Sequence, residues 1–224
     1  MWFLYFIIYS FLGWICEVIY CSIPAKRFIN RGFLKGPICP VYGFGAVFVI
    51  YIMTSLNIKS PILIFIFGGI IASIIEFIAD LMLEYIFHTR LWDYSNRKFN
   101  IKGRVCLLNS TLFSILSLVL MSFIHPIIMS YIRVLSNRAI IITVIICMLL
   151  LIIDISLTVS EVINLNTTLK NMNLFKEFKK EFSKKEFKFI RLINAFPQLE
   201  HKRYKEELNN LKIAIKEAIK NNIK

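Results

Sequence analysis

The chain has 224 residues, 57% of them hydrophobic, with a mean hydropathy of +0.66 and a formal net charge of +13. A water-soluble domain of this size has no core large enough to hide so many apolar side chains, so the composition excludes one and points to lipid as the solvent. Of the 27 Lys and Arg, 15 follow Asn164, which sets a membrane part apart from a basic tail.

A membrane helix needs roughly 20 mostly apolar residues to cross a hydrocarbon layer of about 30 Å. Five runs meet this in chain order: residues 2–23, 40–56, 61–87, 105–124 and 139–163. They are long and lack alternation of period two, so helices are expected rather than strands. The first run carries Glu17 and no small-residue cleavage site, and reads as a retained helix rather than a signal peptide. Pro126 is placed to kink or end the fourth.

Loop one holds Lys26, Arg27, Arg31 and Lys35; loop three holds Arg90, Arg97, Lys98, Lys102 and Arg104. Loop two holds only Lys59 and loop four Arg133 and Arg138. The excess puts loops one and three in the cytoplasm, the N-terminus outside and the basic tail inside. The expectation is therefore an all-α, polytopic membrane bundle. It has five transmembrane helices over residues 1–164, N-out and C-in, and a basic helical cytoplasmic tail over residues 165–224. Inner-leaflet phospholipid accounts for the charge without nucleic acid.

In the tail, Leu174, Phe175, Phe178, Phe182, Phe189, Ile193 and Phe196 share a helical face, with Lys176, Lys180, Lys184, Lys188 and Arg191 mostly opposite. Such a helix either lies in the membrane surface or packs on the loops or on a partner. After Pro197, Tyr204, Leu208, Leu211, Ile215 and Ala218 recur at three and four residues, as on an amphipathic helix.

The membrane part contains an internal echo. Glu17 and Glu76 each precede a basic loop, a Phe (Phe33 or Phe99), a Lys-Gly pair, one residue, a β-branched residue and a Cys (Cys39 or Cys106). The second loop is eight residues longer, counted from Glu17 to Lys35 against Glu76 to Lys102. Residues 1–56 and 61–130 thus read as two hairpins of the same topology, a duplication that in transporters places the site at the repeat interface.

Glu76, Asp80 and Glu84 are spaced by four and share one face of the third helix with Gly69 and Ser73. Intramembrane carboxylates cost about 2.5–3.5 kcal/mol at a helix centre, so partners or water are expected. The candidate substrate or ion path is Glu17, Glu76, Asp80 and Asp154. The alternative is that these acids pair with Arg97, Lys98, Lys102 and Arg104, the preferred reading for Glu84 and Glu161. On the fifth helix, Thr143, Cys147, Asp154, Thr158 and Glu161 form a polar stripe, and Ser110, Ser114, Ser117 and His125 form a looser one on the fourth.

Asp80, Glu84 and His88 have the spacing of metal ligands, but His88 sits at the interface, so no metal or cofactor is expected. Cys39 and Cys106 adjoin apolar helices and have no His nearby, which favours packing over nucleophilic chemistry. No HExxH, GxSxG or phosphate-binding loop occurs, and an enzyme is not expected. The segment 31–45, dense in Gly and Pro, reads as a cytoplasmic re-entry turn. There Pro37 and Pro40 suit the first turn of the second helix, and Gly43 and Gly45 suit close helix packing. Its Lys35, Gly36, Pro37, Cys39, Pro40, Tyr42 and Gly43 are candidate partner contacts.

Phe11-Leu12-Gly13-Trp14-Ile15-Cys16-Glu17, the run from Asn30 to Gly45, Trp92-Asp93-Tyr94-Ser95 and Gly103-Arg104-Val105-Cys106-Leu107 resemble the bacterial ABC-transporter permease family of CmpB type. The resemblance covers about residues 1–160. It implies a multi-pass protein of the bacterial cell membrane that serves as a permease-like transport subunit, with no substrate or functional residues to carry over. No ATP-binding domain or EAA-like coupling loop is found, so an ATPase would be a separate chain. Lipids and a second copy are the other expected partners. The competing readings are a membrane-anchored scaffold or regulator and a lipid-directed membrane enzyme.

Overall fold

The computed structural model describes residues 1–174 and 189–221. The chain runs through α1 (Trp2–Ala25), α2 (Pro40–Ser55), α3 (Pro61–Phe87), α4 (Leu107–Val119), a π-turn (Leu120–Ile124), α5 (His125–Val134) and α6 (Asn137–Leu174), then α7 (Ile190–Ala195) and α8 (Lys205–Asn221). The helical architecture is as expected, with four two-residue strands added in the loops and tail: β1 (Thr89–Arg90), β2 (Asn100–Ile101), β3 (Val105–Cys106) and β4 (Glu200–His201).

Among the described residues, four helices are long and apolar enough to cross a membrane: Trp2–Ala25, Pro61–Phe87, Leu107–Val134 and Asn137–Met172. The expected second run, 40–56, forms α2. α2 has 16 residues, about 24 Å at the helical rise, which is short of the hydrocarbon thickness. Loop one returns along α1 before α2 begins. The Ile29 amide donates to Ser22 Oγ, Trp14 Nε1 donates to Asn30, and the Cys39 amide donates to the Ser10 carbonyl. α2 therefore starts beside the middle of α1. Pro40 is its first residue, whereas Pro37 stays in the loop.

The fourth crossing begins later and ends later than the run 105–124. Val105 and Cys106 form a ladder with Asn100 and Ile101, and Pro126 neither ends the helix nor stops the chain from continuing to Val134. Pro126 has no amide to donate back along the helix, and the preceding turn is widened to the π form.

Small residues bring the helices together, as lipid offers no hydrophobic drive between them. Gly43 packs on Ser10 and Phe6, Tyr42 lies across Gly13, and Gly68 and Gly69 face Ser117 and Ser114. Gly45 differs from expectation, because the space a side chain would take there is open. The bundle core gathers Leu4, Tyr5, Tyr9, Val49, Ile50, Met53, Ile64, Leu120 and Ile132. α6 meets it along a thin stripe through Ile140 and Val144, and most of its other residues from Ile141 to Ile153 are exposed.

A second core forms beyond the helix ends. α6 runs unbroken past residue 164, and its Val162, Leu165 and Leu169 pack with Leu91, Phe189, Leu192, Ile193, Phe196, Leu208, Leu211 and Ile215. Ile29 and Phe33 of loop one and Trp92 of loop three close this core. β1 pairs antiparallel with β4, Thr89 opposite His201. The aromatic face expected in the tail falls partly on residues 175–188, outside the described residues. Where it is described, Phe189, Ile193 and Phe196 are buried in protein rather than offered to lipid.

His201 anchors the tail to loop three. It is 2% exposed, and its Nδ1 accepts the amides of Arg203 and Tyr204. Burial first, then the charges of His88 and Arg203 against that of Glu207, bring its pKa down to about 4. The folded tail thus favours neutral imidazole. Its contribution is complete above the ordinary value of 6.5 and is lost as pH falls from there to about 4. One proton limits the slope to about 1.4 kcal/mol per pH unit. Hydrogen exchange of the Thr89 and Arg90 amides against pH should show this loss, and His201→Gln should flatten it.

Candidate functional site

Loop one places backbone beside helices, where every amide and carbonyl needs a partner. Side chains supply them. Asp154 of α6 accepts the amides of Lys35 (2.9 Å) and Gly36 (3.0 and 3.1 Å), and Thr158 accepts the Lys35 amide as well (3.2 Å). Asn30 donates to the Lys35 carbonyl and accepts the Gly32 amide. Arg191 of α7 donates to the carbonyls of Gly32 (2.9 Å), Phe33 (2.8 Å) and Leu34 (3.2 Å), and to Glu161 (3.2 Å). Lys35 Nζ also lies 3.9 Å from Glu161. Arg31 donates to the Ala195 carbonyl and stacks 4.6 Å over Phe196. Asp154, a candidate for the path, is thus committed to holding loop one.

The candidate partner contacts are largely turned inward. Of the seven, only Pro37 is exposed, while Cys39 and Gly43 are buried. Tyr42 donates its hydroxyl to Glu17 (2.8 Å), and Glu17 lies 3.9 Å from Arg31.

Glu76 is bonded in a comparable way. Tyr94 of loop three donates its hydroxyl to Glu76 Oε1 (3.3 Å), and the Asn109 side chain of α4 also interacts with it. The Tyr94 phenol is pushed up by burial first and then by the charges of Glu76 and Glu17. Tyr94 is aimed by its loop. Its amide donates to the Gly103 carbonyl, and Gly103 has φ 68, with Asp93 and Ser95 where a side chain would stand. That left-handed conformation suits glycine. Glu76 Oε2 is buried and accepts nothing among the described residues. Glu76 also has no Lys or Arg partner among them, unlike Glu17, Asp80, Glu84 and Glu161.

Asp80 stands one turn on and is wholly buried. Arg104 donates to both Asp80 and Glu84, Arg90 lies 3.3 Å from Asp80, and Lys202 reaches Glu84 at 2.8 Å. Pairing at the boundary is therefore found for Asp80 and Glu84, with Arg104 among the expected partners. Asp80 and Glu84 together hold the Arg104 guanidinium. Among the described residues no group of three or more His, Cys, Asp or Glu could hold a metal ion.

A cavity of about 110 Å³ lies among α1–α4 and the π-turn, with Tyr9, Cys16, Tyr42, Ala72 and Phe113 in its walls and neither Glu17 nor Glu76 among its lining residues. A separate lateral groove between α3 and α4, about 560 Å³, is lined by Gly69, Ser73, Ser110 and Thr111 but by neither Glu76 nor Asp80. Tyr94, Asn109 and Arg191 are the residues that sequence reasoning left without these roles. Tyr94 carried a signal, since it sits in the Trp-Asp-Tyr-Ser segment of the resemblance. Asn109 carried one too, standing three residues after Cys106 as Tyr42 stands after Cys39.

No curated protein and no solved structure matches the chain. A family model matches residues 4–159, which span nearly all of α1, α2 to α5 and the larger part of α6, with Glu17, Tyr42, Glu76, Tyr94 and Asn109 among them. The chain belongs to the family described as "Putative ABC-transporter type IV".

Proposed function

We propose that the chain is a permease-like subunit of an ABC-type transport system in a bacterial cell membrane, working with a separate ATPase chain. All five apolar helices enter the bilayer on this reading, the N-terminus faces out, and loops one and three and the tail face the cytoplasm. The packing of the tail on both loops supports a common side for them, and their Lys and Arg make that side cytoplasmic. Residues 1–56 and 61–130 act as a duplicated pair, with the site between them. The chain itself catalyses no reaction; a second copy completes the path.

The observation that carries the reading is Glu76, an intramembrane carboxyl held by Tyr94 and without a cationic partner among the described residues. Such groups mark substrate and ion pathways. Tagged chain purified from its native membrane should bring down an ATP-hydrolysing chain in fixed proportion. Recovery of the tagged chain alone, with no ATPase activity, would overturn the permease reading. It would leave the scaffold reading, which the folded tail supports.

A further inference from the structure

The lateral groove between α3 and α4 is lined on α3 from Phe65 to Phe77, about 18 Å at the helical rise. That is close to the depth of one leaflet, half of a hydrocarbon layer of about 30 Å. Buried Gly69 and Ser114 lie within the groove, and exposed Ile66, Ile70 and Ile74 line it from α3. Its hydroxyls are engaged inside the bundle. Ser73 donates to the Ser110 hydroxyl, Ser114 to the Ser110 carbonyl and Thr111 to the Leu107 carbonyl. The groove therefore presents mainly apolar contact, which suits a hydrocarbon chain.

One end of the groove is basic. Ile101 and Val105, opposite each other in the β2–β3 ladder, both line it. Phe77, its last residue on α3, has the Arg104 guanidinium 5.6 Å over its ring. Arg104 and Arg90 are taken up by Asp80 and Glu84. Lys98 and Lys102 are exposed and have no ion pair among the described residues. Between them, Phe99 is 78% and Ile101 59% exposed. Two large apolar side chains flanked by two lysines thus stand on the outside of loop three, a combination suited to the headgroup region, where apolar groups insert and lysines meet phosphate. A helix of a second copy would cross the whole layer and bring no anion to this end. A zwitterionic lipid carries its own cation, so two unpaired lysines favour a lipid with net negative charge. We propose that the groove holds one acyl chain of an anionic phospholipid, drawn from the leaflet on the side of loop three, with the headgroup phosphate on Lys98 and Lys102.

Native mass spectrometry of the purified full chain, released from nonionic detergent, counts the lipids it keeps. Dioleoyl phosphatidylglycerol is the probe, dioleoyl phosphatidylcholine its zwitterionic counterpart, and glycerol phosphate the headgroup without chains. One phosphatidylglycerol should be held about tenfold more tightly than phosphatidylcholine, the preference that two lysines near a bilayer surface give, and glycerol phosphate should not be retained. Lys98→Gln with Lys102→Gln should erase the preference, and Lys98→Arg with Lys102→Arg should keep it. Thr111 is exposed and lines the groove, so Thr111→Phe should fill it and lower retention of both lipids in a chain that still folds. Equal retention of the two lipids by the native chain, an unchanged preference in the Gln pair, or full retention in Thr111→Phe would each overturn the proposal. So would a dimer that Thr111→Phe dissociates, because a second copy would then occupy the groove. The lipid site does not depend on a transport role, so an ATPase that co-purifies in any of these cases leaves the permease reading standing.

Discussion

Arg104→Ala should destabilise the chain by about 3–5 kcal/mol, the cost of breaking a buried pair by removing one partner. The guanidinium serves Asp80 and Glu84 together and lies 5.6 Å over the Phe77 ring. Asp80 is wholly buried, so water cannot replace the lost partner. Arg90 at 3.3 Å would remain, but its guanidinium also donates to the Lys102 carbonyl and lies 4.0 Å from Asp93. Arg104→Lys should recover little, because a single ammonium cannot fork between two carboxylates. Arg104→Ala with Asp80→Asn should recover much of the loss, since it removes the stranded charge. Thermal unfolding of the four proteins in one detergent measures this. A loss below about 1 kcal/mol in Arg104→Ala, the range of a surface pair, would show that the network is solvated rather than buried.

Arg191→Ala should loosen loop one without touching the helices. Its guanidinium is bonded to the carbonyls of Gly32, Phe33 and Leu34 and to Glu161, a residue 1% exposed. Each buried polar group left unmet costs about 1–3 kcal/mol, so the combined loss should reach several kcal/mol. It should be local. Amides of residues 30–39 should exchange faster, and trypsin should cut at Arg31 or Lys35, while α3 and α4 keep their protection. Unchanged exchange in loop one would show that Asp154 and Thr158 hold it alone. The same variant separates two roles for the tail, because only a tail that holds loop one in place transmits its loss to the Cys39–Tyr42 start of α2.

Much of this was legible in the chain. Long apolar runs register as helices because lipid leaves the backbone no other partner, and four of the five are long enough to span. The heptad-like spacing of Leu208, Leu211 and Ile215 likewise matched a buried face of α8. The echo between the loops drew attention to Glu17 and Glu76, which the fold pairs with the hydroxyls of Tyr42 and Tyr94. Asp80 and Asp154 were equally visible, but side-chain spacing alone does not separate an acid without a cation among the described residues from one already met by Arg104 or by the amides of Lys35 and Gly36.

The sequence by itself therefore determined the solvent, the helices, the acids and the family. The tertiary structure decided which acid has no cation among the described residues, that loop one returns along α1, and that Phe189 to Phe196 of the tail pack against the loops. The reason is physical. Helix formation and lipid solubility depend on local composition and period, which one chain segment carries alone. The fate of a buried charge depends on what stands 3 Å away, and for Asp80, Asp154 and Glu161 those partners come from segments 10 to 119 residues distant.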